Sequence, residues 1–248
     1  MSFFDKFSDA FRLCFIDDDR WKFILSGLGN TIIITLSALL IGIVIGIVVA
    51  IIRSTHDNII DEMAPGPGRF FLKAGNFICN LYLTVIRGTP VVVQLLIMYF
   101  IILIFVRSGI VVAAITFGIN SGAYVAEIVR GGIMSIDKGQ FEAGRSLGFG
   151  YVSTMRYIII PQTFKAVLPS LANEFIALLK ETSIAGYVGI VDLTKAGDII
   201  RGRTFQAFMP LIAVALVYLV LVIFFSRLVA RLEKRLRKGE KRSGGAAK

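Results

Sequence analysis

The long apolar run from Ile24 to Ile52 limits the possible folds of this chain more than any other feature. About 20 consecutive apolar residues suffice for a helix that crosses a bilayer, and this run is longer. It is also too long for the apolar part of a signal peptide, so we expect it to remain as a membrane anchor. Small residues recur at every fourth position, at Ala38, Gly42, Gly46 and Ala50. This spacing predicts a face on which another helix packs closely, with chance recurrence as the alternative.

The composition extends this interpretation to the whole chain. Hydrophobic residues make up 56% of the sequence and charged residues 18%, and the mean hydropathy is +0.77. A soluble domain needs a larger share of polar residues for its surface. We therefore expect an all-α membrane protein with five transmembrane helices, at about residues 24–52, 77–105, 110–133, 162–182 and 208–227. The polar run from Arg87 to Pro90 interrupts the second of these spans.

The distribution of charge predicts the orientation of the chain. Its formal net charge is +10, and a cluster of lysines and arginines follows the last apolar run. The cluster consists of Arg227, Arg231, Lys234, Arg235, Arg237, Lys238, Lys241, Arg242 and Lys248. Such a cluster marks the cytoplasmic side and lies beside anionic membrane lipid, so the C-terminus is inside and, with five spans, the N-terminus is outside. We expect no nucleic acid partner, because the chain has no basic soluble domain to bind one.

The two ends of the chain are predicted to form separate segments. Phenylalanines recur at helical spacing among charged residues, at Phe4, Phe7, Phe11 and Phe15. This pattern predicts an extracytoplasmic amphipathic surface helix within residues 1–22. The transmembrane domain follows over residues 23–232, and a basic cytoplasmic tail occupies residues 233–248.

A polar segment lies between the third and fourth spans, at about residues 139–162. Its stretch from Phe141 to Leu147 predicts a short helix that the following glycines end. The stretch from Tyr151 to Ile160 predicts a second short helix, which Pro161 ends before the fourth span. A segment of this kind is either a solvated connection or a docking surface, and composition does not decide between the two.

The spacing within this segment resembles the EAA loop in permease subunits of bacterial ABC importers. The family pattern is Glu-Ala-Ala, three residues, Gly, nine residues, Ile, one residue, and then Leu-Pro. The matching positions here are Glu142, Ala143, Gly144, Gly148, Ile158, Ile160 and Pro161. Gly144 and Ile160 depart from the pattern, and both replacements are small or apolar.

Four further stretches resemble the polar amino acid uptake branch of that family, which includes histidine, glutamine and arginine permeases. They are Ser26–Thr31, Tyr82–Pro90 with Gln94, Gly122–Gly132 and Lys180–Ser183. The resemblance implies the type I ABC importer permease fold, with the N-terminus out and the C-terminus in. It also implies a multi-pass protein of the bacterial cytoplasmic (inner) membrane that takes up polar amino acids delivered by an extracytoplasmic binding protein.

In this family the EAA loop forms a coupling helix that docks on a cytoplasmic ATPase subunit. The resemblance therefore assigns a coupling role to Glu142, Ala143, Gly144, Gly148 and Pro161. The other implied partners are a second permease copy or a sister permease, the binding protein, the amino acid substrate and membrane lipid.

The sequence carries no signature of an enzyme. No stretch matches the phosphate loop Gly-x4-Gly-Lys-Ser/Thr, and the single His56 with Cys14 and Cys79 gives no metal-binding spacing. We expect no enzyme activity, metal or cofactor on this chain, and we expect ATP and Mg to be bound by the partner ATPase subunit.

Polar residues at membrane depth are costly and often functional. Glu127 and Arg130 lie three apart on one helix face, which predicts a structural ion pair between them. Arg87 and Thr89 are candidates for the substrate path, and snorkelling of Arg87 to the interface is the alternative.

A second group of path candidates is Glu181, Thr182 and Ser183. They follow Pro161 by about 20 residues, or about 30 Å of helix, which places them in the outer half of the bilayer. A carboxylate and two hydroxyls there could hold an amino acid, and a helix end that faces water is the alternative.

Other transport functions compete with an amino acid permease. A methionine-type or other small-solute ABC permease has the same loop. An ion-coupled secondary transporter often has internal repeats, and none is evident in this sequence. A membrane-embedded enzyme would need a catalytic constellation that the sequence does not show.

Overall fold

The structure is a computed structural model that describes residues 3–244, with side chains described from Asp5 to Leu236. Within this part the chain is helical and has no β-strand, which confirms the all-α prediction. The helices are α1 (Phe3–Phe11), α2 (Trp21–Ile59), α3 (Pro67–Gly88), α4 (Val91–Ile97), α5 (Gly109–Met134), α6 (Lys138–Ser146), α7 (Tyr151–Thr154), α8 (Ile160–Glu181), α9 (Leu193–Thr204) and α10 (Phe208–Gly244).

Three helices in the described part are long and apolar enough to cross a membrane: α2, α5 and residues Phe208–Leu236 of α10. The predicted second span, 77–105, is not one straight helix. α3 ends at Gly88, the chain bends sharply, and α4 begins at Val91, because Pro90 cannot donate a helical hydrogen bond. The bent pair could form a fourth crossing. The predicted span 162–182 corresponds to α8, which is not among the helices that are long and apolar enough to cross a membrane.

The helices divide into two compact units. The first unit contains residues 1–39, 90–118 and 175–227. Its main apolar core is formed by fully buried side chains from α2, α4, α5 and α8, including Ile34, Leu95, Phe117 and Leu178. The start of α9 is fixed by Asp192, whose buried carboxylate accepts the backbone N–H groups of Thr194 (2.8 Å) and Lys195 (3.2 Å). Burial raises the pKa of the Asp192 carboxyl, and these donors oppose that shift.

The N-terminal segment belongs to the first unit and is only partly the predicted surface helix. α1 ends at Phe11, and a π-helical turn (Arg12–Ile16) and a 3₁₀ turn (Asp17–Asp19) follow. Phe7 and Phe11 are exposed, as an amphipathic surface helix requires. Phe15 is instead buried with Cys14 and Ile200 in a small apolar cluster. The side chain of Phe4 lies outside the described part.

The second unit contains residues 40–89, 119–174 and 228–248. The small-residue face of α2 packs here as predicted. A Cβ added at Gly46 would lie 2.5 Å from Cγ1 of Val125, and one at Gly42 would lie 3.0 Å from Cβ of Ser121, so α2 and α5 approach closely. The buried cluster beside this contact consists of Val49, Cys79, Leu83, Ala123 and Ala126. The predicted basic tail continues α10 as far as Gly244, and its last four residues lie outside the described part.

Candidate functional site

The polar segment between α5 and α8 forms a capped helix in the second unit. The carboxylate of Asp137 caps α6 by accepting the N–H of Gly139 at 2.6 Å. At the other end Gly148 has a left-handed φ of +76°. Its N–H donates to the carbonyl of Arg145 (2.9 Å), and the N–H of Phe149 donates to that of Gly144 (3.0 Å). These two bonds are a Schellman motif, which confirms the predicted helix and its glycine stop.

Gly144 on α6 packs closely against Thr154 of α7. It is buried, and a Cβ added there would lie 2.6 Å from Oγ1 and 2.7 Å from Cγ2 of Thr154. The glycine that replaces alanine in the resembling pattern therefore has a local cause, because Thr154 occupies the space that a methyl group would need. Glu142 and Ala143 are exposed on the same helix.

Pro161 does not end a helix, which corrects the prediction. The chain stays helical from α7 through a π-helical turn, Met155–Ile159, into α8, which begins at Ile160. A proline is accommodated inside a helix where the helical hydrogen-bond ladder is locally widened. The π-helical turn immediately before Pro161 is such a widening, so the helix continues past the proline.

The segment from α6 to the π-helical turn carries exposed apolar side chains. Leu147 and Val152 expose 71% and 76% of their surface, and Phe149 and Tyr157 are also exposed, with their ring centroids 6.3 Å apart. Exposed apolar residues that cluster on a short segment are typical of a protein interaction surface. We call Leu147, Phe149, Val152 and Tyr157 the apolar loop surface.

Several contacts hold α6 in place within the second unit. Phe141 and Tyr151 pack against a buried cluster of Ile133, Met155 and Ile159, which joins α6 to α5 and the π-helical turn. The amide of Gln162 donates to Oε1 of Gln140 at 3.1 Å and joins α6 to α8. These contacts join α6 to both α5 and α8.

The predicted ion pair between Glu127 and Arg130 is wrong, because each side chain pairs with a residue of α2 instead. Glu127 Oε1 accepts from Arg53 of α2 at 2.6 Å and lies 4.0 Å from Arg87 of α3. Arg130 donates through Nε (3.1 Å) and Nη2 (2.8 Å) to the carboxylate of Asp57 on α2.

The i,i+3 spacing placed the two side chains on one face of α5, but α2 presents opposite charges to that face. A guanidinium that donates twice to one carboxylate is held more firmly than a single intrahelical contact. The sequence did contain a signal for these partners. Arg53 and Asp57 lie one turn apart on α2, and their order of positive then negative charge complements the negative then positive order of Glu127 and Arg130.

The path candidates fall in different units. Arg87 and Thr89 belong to the second unit and Glu181, Thr182 and Ser183 to the first. Arg87 is half-exposed, with its guanidinium carbon 5.8 Å from the ring centroid of Tyr124. The hydroxyl of Thr89 is exposed and donates to the carbonyl of Val85 at 2.8 Å.

The second group lies at the end of α8. Glu181 is its last residue and is half-buried. Thr182 is fully buried and donates to the carbonyl of Leu179 at 2.9 Å, so its hydroxyl is used within the helix. Ser183 lines a cleft of about 370 Å³ together with residues of α9 and Leu211 of α10. In the described part of the chain, no three histidine, cysteine or carboxylate side chains are grouped so that they could hold a metal ion.

Comparison with known proteins identifies the family. A family profile described as "Binding-protein-dependent transport system inner membrane component" matches residues 42–238. The chain belongs to this family. The glutamine transport system permease protein of Escherichia coli K12 is 39% identical to this permease over 166 residues, covering 65% of this chain and 76% of that protein. A putative glutamine permease of Rickettsia prowazekii strain Madrid E is 35% identical over 217 residues, covering 86% and 93%.

Solved structures agree with this assignment. A crystal structure of an amino acid ABC transporter with histidines is 38% identical to the permease, with a TM-score of 0.75 over 86% of this chain and 94% of that one. A methionine ABC transporter in an inward-facing conformation gives a TM-score of 0.74 at 17% identity, covering 89% and 99%. The second likeness shows the fold alone, which is the type I ABC permease fold.

Proposed function

We propose that this chain is the permease subunit of an ATP-driven importer of polar amino acids. Its family supports a transport role, and relatives named as glutamine permeases together with a 38% identical amino acid transporter support the substrate class. The structural observation that carries the coupling role is α6, capped at both ends and followed by the apolar loop surface.

In this account α6 is the coupling helix. The exposed Glu142 and Ala143 and the apolar loop surface dock on a cytoplasmic ATPase subunit, which binds ATP and Mg and performs the hydrolysis. Gly144 seats α6 against α7, and Gly148 turns the chain into the docking surface. Pro161 fixes the first turn of α8, through which a rigid-body movement of α6 reaches the membrane helices.

We propose five spans with the N-terminus outside and the C-terminus inside the bacterial inner membrane. The three apolar helices, the bent pair and α8 supply the five, and the basic end of α10 supports the orientation. Residues 1–22 then lie on the outer side, residues 23–232 form the transmembrane domain, and residues 233–248 form the inner tail. An extracytoplasmic binding protein, a second copy or sister permease and membrane lipid are the further partners.

Thiol labelling tests this topology. Cys14 and Cys79 are buried, so the unsubstituted chain is its own control. A membrane-impermeant reagent should label Ser8→Cys on intact cells and Lys234→Cys only after permeabilisation, since both positions are exposed. Labelling of Lys234→Cys on intact cells would overturn the orientation.

The substrate path is proposed to include Arg87 and Thr89 in the second unit and Glu181, Thr182 and Ser183 in the first. A carboxylate opposite a substrate ammonium gains a charge-assisted hydrogen bond of about 1.5–3 kcal/mol. Glu181→Gln should therefore lower uptake by about tenfold or more while basal ATP hydrolysis continues. Uptake by Glu181→Gln equal to that of the unsubstituted chain would remove Glu181 from the path.

The proposed function is tested by uptake into vesicles that contain this chain and its ATPase, with the binding protein outside. Labelled L-glutamine and L-histidine are the first substrates, chosen from the relatives' names. We expect ATP-dependent uptake that Gly148→Arg abolishes while ATP hydrolysis continues. Asparagine adopts a left-handed φ readily, so Gly148→Asn adds a side chain with little backbone strain. It therefore distinguishes the effect of backbone strain from that of blocked docking. Gly66→Arg is the matched control, because Gly66 is also exposed and has open space at its Cβ. Absence of ATP-dependent uptake of any polar amino acid would refute the proposal.

A further inference from the structure

The end of α10 carries basic residues along one side of the helix. α10 is helical as far as Gly244, and at about 3.6 residues per turn six basic positions fall within an arc of about 120°. We call them the basic stripe, and they are Arg231, Lys234, Arg235, Lys238, Lys241 and Arg242. The side chains of the first three are described by the structure, and all three are exposed.

The opposite side of the same helix packs against the chain itself. Val229 is buried, with 8% of its surface exposed, and Leu232 and Leu236 are half-buried. The basic stripe therefore faces away from the second unit, to which this part of α10 belongs. Among the described residues, no carboxylate forms an ion pair with the three exposed cations of the stripe.

Membrane lipid accounts for the beginning of the stripe and not for its length. The hydrocarbon layer is about 30 Å thick, so a helix that enters it at Phe208 leaves it near Arg227. The headgroup layer adds about 5–8 Å, which Arg231 reaches and Lys234 does not. Arg242 lies about 15 Å beyond that layer, and charges are screened over about 8 Å at physiological ionic strength.

The stripe is more stable beside an acidic surface than in water. Cations three and four positions apart on a helix repel each other, and acidic groups alongside relieve that repulsion. We infer that the basic stripe docks on an acidic face of the cytoplasmic ATPase subunit, as a contact separate from α6. The inference rests on the proposed function, which brings that subunit to the cytoplasmic side, where the end of α10 emerges. Exposed charges across an interface mainly speed and orient association, so the stripe would guide the ATPase onto α6.

Photo-cross-linking in the assembled complex tests where the stripe docks. A photo-reactive phenylalanine analogue replaces Arg235, which lies beyond the headgroup layer. The matched control is the same analogue in place of Glu233, which is also exposed and lies on the opposite side of the helix. We expect an adduct with the ATPase from position 235 and none from position 233. An adduct from position 235 with lipid or nucleic acid only, or equal ATPase adducts from both positions, would overturn the inference.

The salt dependence of ATPase binding tests the charge of the contact. The complete complex in vesicles is diluted, and the ATPase that stays bound is measured at low salt and at about 1 M salt, where screening acts within about 3 Å. Lys234→Gln with Arg235→Gln should raise the Kd by about 2- to 30-fold at low salt, as expected for two exposed ion pairs. The difference should disappear at about 1 M salt, whereas a misfolded variant would bind weakly at both concentrations.

A control variant separates the stripe from the total charge of the chain. Lys6→Gln with Arg12→Gln removes the same charge from two exposed residues on the proposed outer side, and it should leave the Kd unchanged. An unchanged Kd for the stripe variant at low salt, an equal effect of the control variant, or a difference that persists at about 1 M salt would overturn the inference.

The outcomes separate this inference from the proposed function. An ATPase that does not bind the unsubstituted permease contradicts the proposed function itself. ATP-dependent uptake together with a stripe variant that binds the ATPase as tightly as the unsubstituted chain overturns the stripe contact alone.

Discussion

The contact between Gly144 and Thr154 predicts a specific response to one added methyl group. In Gly144→Ala the new Cβ would lie 2.6 Å from Oγ1 and 2.7 Å from Cγ2 of Thr154, well inside van der Waals contact. Thr154 is buried and has little room to move. Overpacking of this kind typically costs about 1–3 kcal/mol, and here the strain arises at the contact that holds α6 against α7. A cost of that size corresponds to about a 5- to 150-fold shift in the equilibrium between α6 packed against α7 and α6 displaced from it.

A second substitution should relieve this strain. Thr154→Ala removes both of the closest atoms, and the remaining Cβ at 3.2 Å needs only a small adjustment. Oγ1 of Thr154 has no hydrogen-bond partner in the described structure, so its removal leaves no donor or acceptor unpaired.

The assay compares uptake per ATP hydrolysed in reconstituted vesicles, together with the thermal midpoint of the complex. Gly144→Ala should lower both quantities, and the double variant should recover most of the loss, whereas Thr154→Ala alone should change little. If Gly144→Ala is as active as the unsubstituted chain, or if the double variant is no better than Gly144→Ala, the close packing of α6 on α7 is not what seats the coupling helix.

Three further predictions concern contacts elsewhere in the chain. Asp57→Arg should lower the thermal midpoint by removing a half-exposed ion pair worth about 1 kcal/mol, and adding Arg130→Asp should restore part of it; no recovery would argue against the pairing. Asp192→Ala should destabilise the chain by about 1–2 kcal/mol through the lost cap of α9, and a midpoint equal to that of the unsubstituted chain would show that the cap is dispensable. Gly46→Leu should separate α2 from α5 and reduce the amount of folded protein in the membrane, and normal abundance would contradict the close approach to Val125.

The sequence predicted the features that depend on local spacing. The recurrence of small residues every four positions on α2 correctly predicted a packing face, and the glycines after Leu147 correctly predicted the end of a helix. Both features depend on residues within one or two helical turns of each other. The family was also accessible from the sequence, since the EAA spacing lies within one short segment.

Features that depend on partners distant in sequence could not be predicted in the same way. Glu127 and Arg130 find their counter-charges on α2, more than 70 positions away, and local spacing cannot reveal such a partner. Pro161 stays within helical structure because a π-helical turn precedes it, and the sequence gives no clear signal for such a turn. Glycine stands at position 144 because Thr154 packs against it from the next helix, and the spacing within the segment does not reveal that contact.

The proposed coupling requires the apolar loop surface to dock on the ATPase. A photo-reactive phenylalanine analogue in place of Leu147 tests this in the assembled complex, and the same analogue at Phe205 is the control, because Phe205 is even more exposed and lies on the proposed outer side. We expect a cross-link from position 147 to the ATPase subunit and none from position 205. A cross-link to the ATPase from position 205, with none from position 147, would show that the ATPase does not dock on the apolar loop surface.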